Sequence, residues 1–217
     1  MTGRIVVLVA TVCSPSLVGA SPIFFSSRPD FDTAVVPTRV EGFEDPFETA
    51  SSVAFDGFTV TEVSDFANIN SRIDYVSAGE RALGFTWNGD TQFRFDFSPP
   101  ITGFAADILD FGTCCSAMTL DVVSDTGEIN HVAATGGDLP RGNLQFWGFE
   151  SSDPISSLSF SSQSLSDNDL IVFDQVAFRT VPEPSGKFVA MVAMLMMLIQ
   201  TARLLGGQVT IHLDLSC

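Results

Sequence analysis

Residues 92–97 read Gln92-Phe93-Arg94-Phe95-Asp96-Phe97. Apolar and polar side chains alternate without interruption. An extended chain puts the three phenylalanines on one face and Gln92, Arg94 and Asp96 on the other, whereas a helix would scatter the same rings around its circumference. The segment is a strand with one buried and one wet face. Leu158 and Phe160 alternate with serines in the same way.

Outward from this stretch, short apolar runs recur. Strands are expected at Thr38–Phe43, Phe58–Val63, Ala82–Trp87, Gln92–Phe97, Gly103–Leu109, Met118–Ser124, Glu128–Ala133, Leu144–Phe149, Ile155–Ser161 and Leu170–Phe178. The breaks between them are turn chemistry: Asn88-Gly89, Ser98-Pro99-Pro100, Asp125-Thr126-Gly127, Gly136-Gly137 and Ser152-Asp153-Pro154. No stretch keeps a 3.6-residue period for three turns. Ser21–Asp32 reads as a loose lead-in. The expected fold is all-β, an antiparallel β-sandwich of the jelly-roll kind, with a closed barrel as the alternative.

Two terminal segments stand apart from this pattern. Residues 1–20 carry Arg4, an apolar stretch Ile5–Val12, and small residues at Val18-Gly19-Ala20. That is the plan of a secretory signal peptide, too short to span a bilayer. Cys13 counts as one of its apolar residues. At the other end, Val181-Pro182-Glu183-Pro184-Ser185 stops the last strand, because two prolines in three residues fit neither a sheet nor a helix interior. Phe188–Ile199 then runs for twelve residues without a polar side chain. Continued to Leu205 it makes an 18-residue helix, near the lower limit for a membrane span, with Arg203 placed to snorkel.

Removing both segments leaves 21–181, with 24 Asp and Glu against seven Arg and no Lys, a net charge of −17. Nineteen of the 20 Phe lie here, beside a single Tyr75. Such a surface repels nucleic acid, whose binding depends on Lys and Arg releasing counterions. Adjacent Cys114 and Cys115 cannot close an unstrained disulfide with each other. Only Cys217 is left to join them once the leader is gone, and with only His131 and His212 and no second Cys pair no metal-ligand spacing exists.

The proline stop, the apolar helix after it and the N-terminal leader together resemble the PEP-CTERM sorting domain of exported Gram-negative bacterial proteins. The matching residues are Pro182, Glu183 and Pro184, followed by the helix to 205. In that family a basic cluster follows the helix. Here Arg203 stands alone and residues 206–217 form an atypical extension. The resemblance implies an exosortase-type sorting enzyme and the inner membrane as partners in transit. It also implies a final place at the cell surface or in the extracellular matrix, in contact with exopolysaccharide. The middle domain is similar to β-sandwich ectodomains that carry such tails, through Phe43-Glu44 and Asp174-Gln175-Val176-Ala177-Phe178.

Few constellations carry chemistry. Asp174 falls among Val172, Val176 and Phe178 at period 2, and a carboxylate on an inward face needs a cation, an Arg or several donors. In calcium-bearing jelly rolls, acids from the first and last strands share one ion. Glu44 (or Glu41) and Asp174 are the residues for that arrangement here, with loop oxygens completing about six to eight ligands. No cofactor beyond such a structural ion is expected. Asp167-Asn168-Asp169 reads as a turn, and Asp107 and Asp110 are expected to face water. Glu41, Glu44, Asp45 and Glu48 are acidic enough to suggest a glycan hydrolase's carboxylate pair, roughly 5–10 Å apart across a cleft. In so acidic a chain that proximity means little. His131 lacks a nucleophile signature such as Gly-x-Ser-x-Gly. Trp87 is expected in the core. Trp147, with Phe146 and Gly148 opposing it by alternation, stays open between core packing and stacking on a sugar ring, and is the candidate ligand-binding residue. The sequence thus reads as a non-enzymatic exported protein, with a calcium-containing carbohydrate-binding module as the alternative.

Overall fold

The computed structural model describes residues 21–63, 69–87, 92–111, 118–134, 143–162, 169–181 and Met197. The leader, the Pro182–Pro184 tail with Arg203, the 206–217 extension, Cys114, Cys115, Asn88-Gly89, Gly136-Gly137 and Asp167-Asn168 lie outside the described residues, as do the side chains of Trp87, His131 and Asp169.

Among the described residues from 21 to 181, one helix and eleven strands follow in order: β1 (Ile23–Phe25), α1 (Arg28–Val35), β2 (Arg39–Glu41), β3 (Ser52–Phe55), β4 (Phe58–Glu62), β5 (Ile69–Arg72), β6 (Ala82–Trp87), β7 (Gln92–Leu109), β8 (Met118–Ser124), β9 (Gly127–Ala134), β10 (Leu144–Ser162) and β11 (Asp169–Thr180). All pairings between them are antiparallel. The all-β antiparallel expectation holds.

Two pairs of expected strands prove to be single long ones. Gln92–Phe97 and Gly103–Leu109 are the two arms of β7, and Leu144–Phe149 and Ile155–Ser161 are the arms of β10. Ser98-Pro99-Pro100 and Ser151–Pro154 mark corners rather than ends. Register shifts between Glu150 and Ser157 let the two strands turn together while staying paired.

Each arm belongs to a different layer. In the first layer β3, β4, the 92–97 arm, the 157–161 arm, β8 and β9 lie side by side. In the second, β5, β6, β11, the 101–109 arm, the 144–150 arm and β1 do so, with β2 also on β11. The layers meet through phenylalanines. Phe93 lies 5.4 Å from Phe173, Phe97 lies 5.7 Å from Phe178, and Phe58 lies 5.6 Å from Phe178, centroid to centroid. Tilted and edge-on pairs of this kind contribute about 0.5–1.5 kcal/mol beyond the area they bury. The period-2 stretch Gln92–Phe97 supplies the centre of the core: Phe93, Phe95 and Phe97 are all buried.

The lead-in is not loose. Arg28–Val35 is helical because Ser27 caps it in an extended conformation, its hydroxyl accepting from Asp30 N, and because Pro29 sits in the first turn, where a missing N–H costs nothing. Phe31 and Val35 are its buried side chains. They lie on the outer face of the second layer, where that face is made of Gly103, Ala105, Gly148 and Ala177. A Cβ on Gly103 would stand 2.6 Å from Val35 Cγ1, and one on Gly148 2.7 Å from the Ala105 methyl. The small residues make the groove in which the helix rests.

Candidate functional site

A polar seam lies on that outer face, where the start of α1 meets the loop between β5 and β6. Asp174 is its centre and is completely buried. Its carboxylate nevertheless points away from the phenylalanine core. Phe173 faces inward, and Gln175 adopts a left-handed backbone (φ 47°) where the β11–β7 register shifts. That bulge resets the alternation, so Val176 and Phe178 also face the core and Asp174 does not share their face. The period-2 reading assumed an unbroken strand, and the bulge overturns it.

Asp174 Oδ2 accepts hydrogen bonds from Ser77 N (2.7 Å), Ser77 Oγ (2.9 Å) and Ala78 N (3.0 Å), and Oδ1 accepts from Gln175 N (2.7 Å). Bonds to an ionised acceptor contribute about 1.5–3 kcal/mol each, enough together to offset the several kcal/mol that burying a carboxylate costs. Asp107 stands directly opposite on β7. Its Oδ1 accepts from Arg28 Nε (3.2 Å) and Nη2 (2.8 Å), and its Oδ2 accepts from Ser77 Oγ (2.6 Å). The Ser77 hydroxyl has one hydrogen for two carboxylates. Asp107 is the nearer, while Asp174 keeps the two loop amides. Arg28 also donates to Gln175 O (2.8 Å) and lies over the Phe146 ring at 5.1 Å. Asp107 and Asp110, expected in water, are both buried. The strand carries Asp107 under the helix and loop, a cover that alternation alone does not reveal, while Asp110 lies just past the strand's end, its N–H donating to Asn143 O.

Glu44 reaches the same loop from another side. Its Oε2 accepts from Glu80 N (2.9 Å), and a Cβ on Gly79 would fall 1.6 Å from Oε1, so a larger residue there would displace the Glu44 carboxylate as well as strain a backbone at φ +71°. Glu41 turns back to accept from Phe43 N (2.7 Å). The structure therefore brings Glu44 and Asp174 onto one loop, Ser77–Glu80, each accepting from its amides. Glu44, Asp45 and Glu48 are otherwise exposed. Among the described residues no group of three or more His, Cys, Asp or Glu is arranged to hold a metal ion.

Trp147 lies in the core rather than on the surface. It is 7% exposed, within 5.5–6.1 Å of Phe149, Phe104 and Phe160. Phe146 and Gly148 are the residues that face outward on this arm, under α1. The indole Nε1 has no hydrogen-bond partner. The outer face of the first layer carries Thr59, Thr61, Gln92, Arg94, Asp96, Ser157, Ser159 and Ser161, with no aromatic side chain at its described positions. Arg28 and Ser77, which complete the seam, were not singled out by sequence. The run Ser27-Arg28-Pro29-Asp30, a cap followed by proline and an acid in the first turn, is the signal that would have found the helix and its first residue.

Among the described residues no helix is long and apolar enough to cross a membrane, which says nothing of β-barrels. No family model matches the chain, and no curated protein does. Among solved structures the chain is similar to the CBM22-1 xylan-binding domain of Paenibacillus barcinonensis Xyn10C, at 13% identity and TM-score 0.43, over 67% of this chain and 94% of that one. It is similar to the K2 cleaved adhesin domain of Lys-gingipain at 13% identity and TM-score 0.45, over 65% and 99%. It is also similar to TmCBM61, solved in complex with β-1,4-galactotriose, at 11% identity and TM-score 0.37, over 57% and 88%. Likenesses this distant assign neither a ligand nor a family.

Proposed function

We propose that this chain is an exported, non-enzymatic protein of the cell surface or extracellular matrix, whose jelly-roll-like β domain has a structural or adhesive role. The observation that carries the reading is the run Val181-Pro182-Glu183-Pro184-Ser185 followed by the apolar stretch Phe188–Ile199, opposite an N-terminal leader. Its position supports an appended signal: β11 ends at Thr180, so the run begins where the ladder stops. An exosortase-type enzyme and the inner membrane are its partners in transit, and exopolysaccharide is the neighbour after release. In support of a non-catalytic domain, the buried carboxylates Asp107 and Asp174 are engaged in holding α1 and the Ser77–Glu80 loop. Cell fractionation with mass spectrometry of the mature ends tests this reading. Cleavage near Ala20 and recovery in the membrane or extracellular fraction are expected. An intact Met1 would sink export, and an intact Cys217 in a soluble fraction would sink the anchor.

A second reading, a calcium-containing carbohydrate-binding module, is favoured by one observation: Glu44, from the segment between β2 and β3, and Asp174, from β11, accept from amides of the same loop. It requires the melting temperature to rise with calcium and fall with chelator. An unchanged melting curve in both removes it.

A further inference from the structure

β1 and α1 form an arm laid on the outside of the second layer. Among the described residues β1 pairs with β10 alone, over three residues. α1 sets Phe31 and Val35 on Ala105 and Ala177, with Phe25 and Phe146 beside them, in a cluster apart from the main phenylalanine core. Two arginines complete the hold. Arg28 Nη2 donates to Asp107 Oδ1 and Gln175 O, and Arg179 Nη1 donates to Val35 O (3.2 Å). The phenylalanine pairs that join the two layers, Phe58–Phe178, Phe93–Phe173 and Phe97–Phe178, include no residue of the arm. The arm can leave without opening the core.

A single dipeptide joins arm and body. The last backbone bond of the arm runs from Val36 N to Asp32 O (3.2 Å), and the first of the body from Thr38 N to Phe178 O (3.0 Å). Between them stand Val36 and Pro37. Val36 closes the helix at φ 50°, ψ 75°, a left-handed position. Glycine or asparagine ordinarily fills such a position, because a Cβ there crowds the following carbonyl. Valine adds a branch at that Cβ, and the proline after it favours an extended residue before it. The Val36 side chain is 67% exposed, so little packing offsets the strain.

We infer that β1 and α1 exchange between two copies of this chain. Val36 and Pro37 straighten, and each arm occupies the groove of Gly103, Ala105, Gly148 and Ala177 on the other copy. Every contact between arm and body is then made between chains instead of within one. No contact is lost, and the strain at Val36 is released. The lost freedom of two molecules opposes the exchange, and that opposition weakens as concentration rises. Short hinges under strain favour this kind of swap. The exchange involves neither the leader nor the tail, so it stands or falls independently of the sorting reading.

The test uses the full chain in detergent, with Cys13, Cys114, Cys115 and Cys217 changed to Ser and a cysteine pair introduced by Val35→Cys and Gly103→Cys. A Cβ at position 103 lies 3.7 Å from Val35 Cβ, the separation found across a disulfide. The chain is refolded from urea at high concentration, oxidised, and fractionated by size with light scattering to set dimer apart from monomer. Electrophoresis in SDS without reductant then reads which chains the bond joins. The dimer fraction is expected to run as a covalent dimer and the monomer fraction as a monomer. Val36→Gly, which removes the strain of the closed hinge, is expected to lower the dimer fraction several-fold. A dimer fraction that runs as monomer, its bond formed within each chain, shows association without exchange and overturns the inference. A chain that stays monomeric at every concentration overturns it too. Where the cysteine pair disturbs the groove, the hinge decides in the native chain: an equal dimer fraction with and without Val36→Gly overturns the exchange.

Discussion

Asp107 and Asp174 face each other across β7 and β11, and both carboxylates reach the hydroxyl of Ser77. Like charges directly opposite in a ladder repel. The pair is held by what surrounds it: Arg28 on one side and two loop amides on the other. The seam therefore fastens α1 and the Ser77–Glu80 loop to the sheet with the same two residues.

Replacing Asp174 by Ala leaves Ser77 N and Ala78 N without their acceptor. A loss of about 3 kcal/mol in urea unfolding is expected, since unsatisfied buried donors add their desolvation to the lost bonds. Limited proteolysis should move its first cut into the Ser77–Glu80 loop. Unchanged stability together with an unchanged cleavage site would show that the loop is held by other contacts.

Arg28→Met keeps the packing over Phe146 but removes the charge beside Asp107. The pair is partly exposed, at 25% and 12% for the two side chains, so the cost is smaller than for a sealed ion pair, about 2 kcal/mol. A double-mutant cycle with Asp107→Asn isolates the coupling. The double variant should lose less than the two single losses added together.

Gly103→Val tests whether the groove positions the helix. Val35 Cγ1 already lies 2.6 Å from where a Cβ would be, so Val35 or the helix must move, at about 1–3 kcal/mol. Amide exchange should quicken through Arg28–Val35 and stay slow at Phe93 and Phe160. Uniform acceleration across all of these would mean that α1 and the core unfold together.

Trp147→Ala removes a ring packed among Phe104, Phe149 and Phe160. A loss of about 3–5 kcal/mol is expected from differential scanning calorimetry and denaturant unfolding. A surface stacking residue would instead cost almost nothing when removed, so this single measurement separates the two roles.

The Asp74 carboxyl is held below its ordinary range by the hydrogen bond from Arg72 beside it, against a smaller upward push from burial. A depressed acid adds stability above its unfolded pKa, and that stability disappears as pH falls through the folded value. Asp74 is nearly half exposed, so the contribution is under about 1 kcal/mol. The stability gap between the native chain and Asp74→Asn should exist at neutral pH and close under acid.

The sequence made the individual strands legible wherever one face meets the core and the other meets water. β6 and β8 begin and end where alternation predicts, at Ala82–Trp87 and Met118–Ser124. What it hid were departures from uniform geometry. Prolines 99, 100 and 154 look like stops, yet pairing of Ile101 with Ile155 carries β7 and β10 through their corners. The bulge at Gln175 moves Asp174 to the other face. α1 has only two turns, too few for a helical period to rise above chance, although its cap was in plain view. The short edges β1, β3 and β5 have three or four residues each, where alternation has little room to register. In the seam, acids were recognisable as residues that need partners. Which partners they found depended on a loop and a helix far away in the chain.

The bent strands have a consequence for the order of events during synthesis and transport. Each of β7 and β10 contributes an arm to both layers, so neither layer can be completed separately. Phe93 waits for Phe160, its partner in the ladder, 67 positions downstream. Closing so large a loop carries an entropic cost before the two arms meet, and contacts of such long sequence separation slow folding. A chain that emerges N-terminus first therefore has no finished layer until β11, which lies between β6 and β7, has followed: it closes only once residue 180 is free.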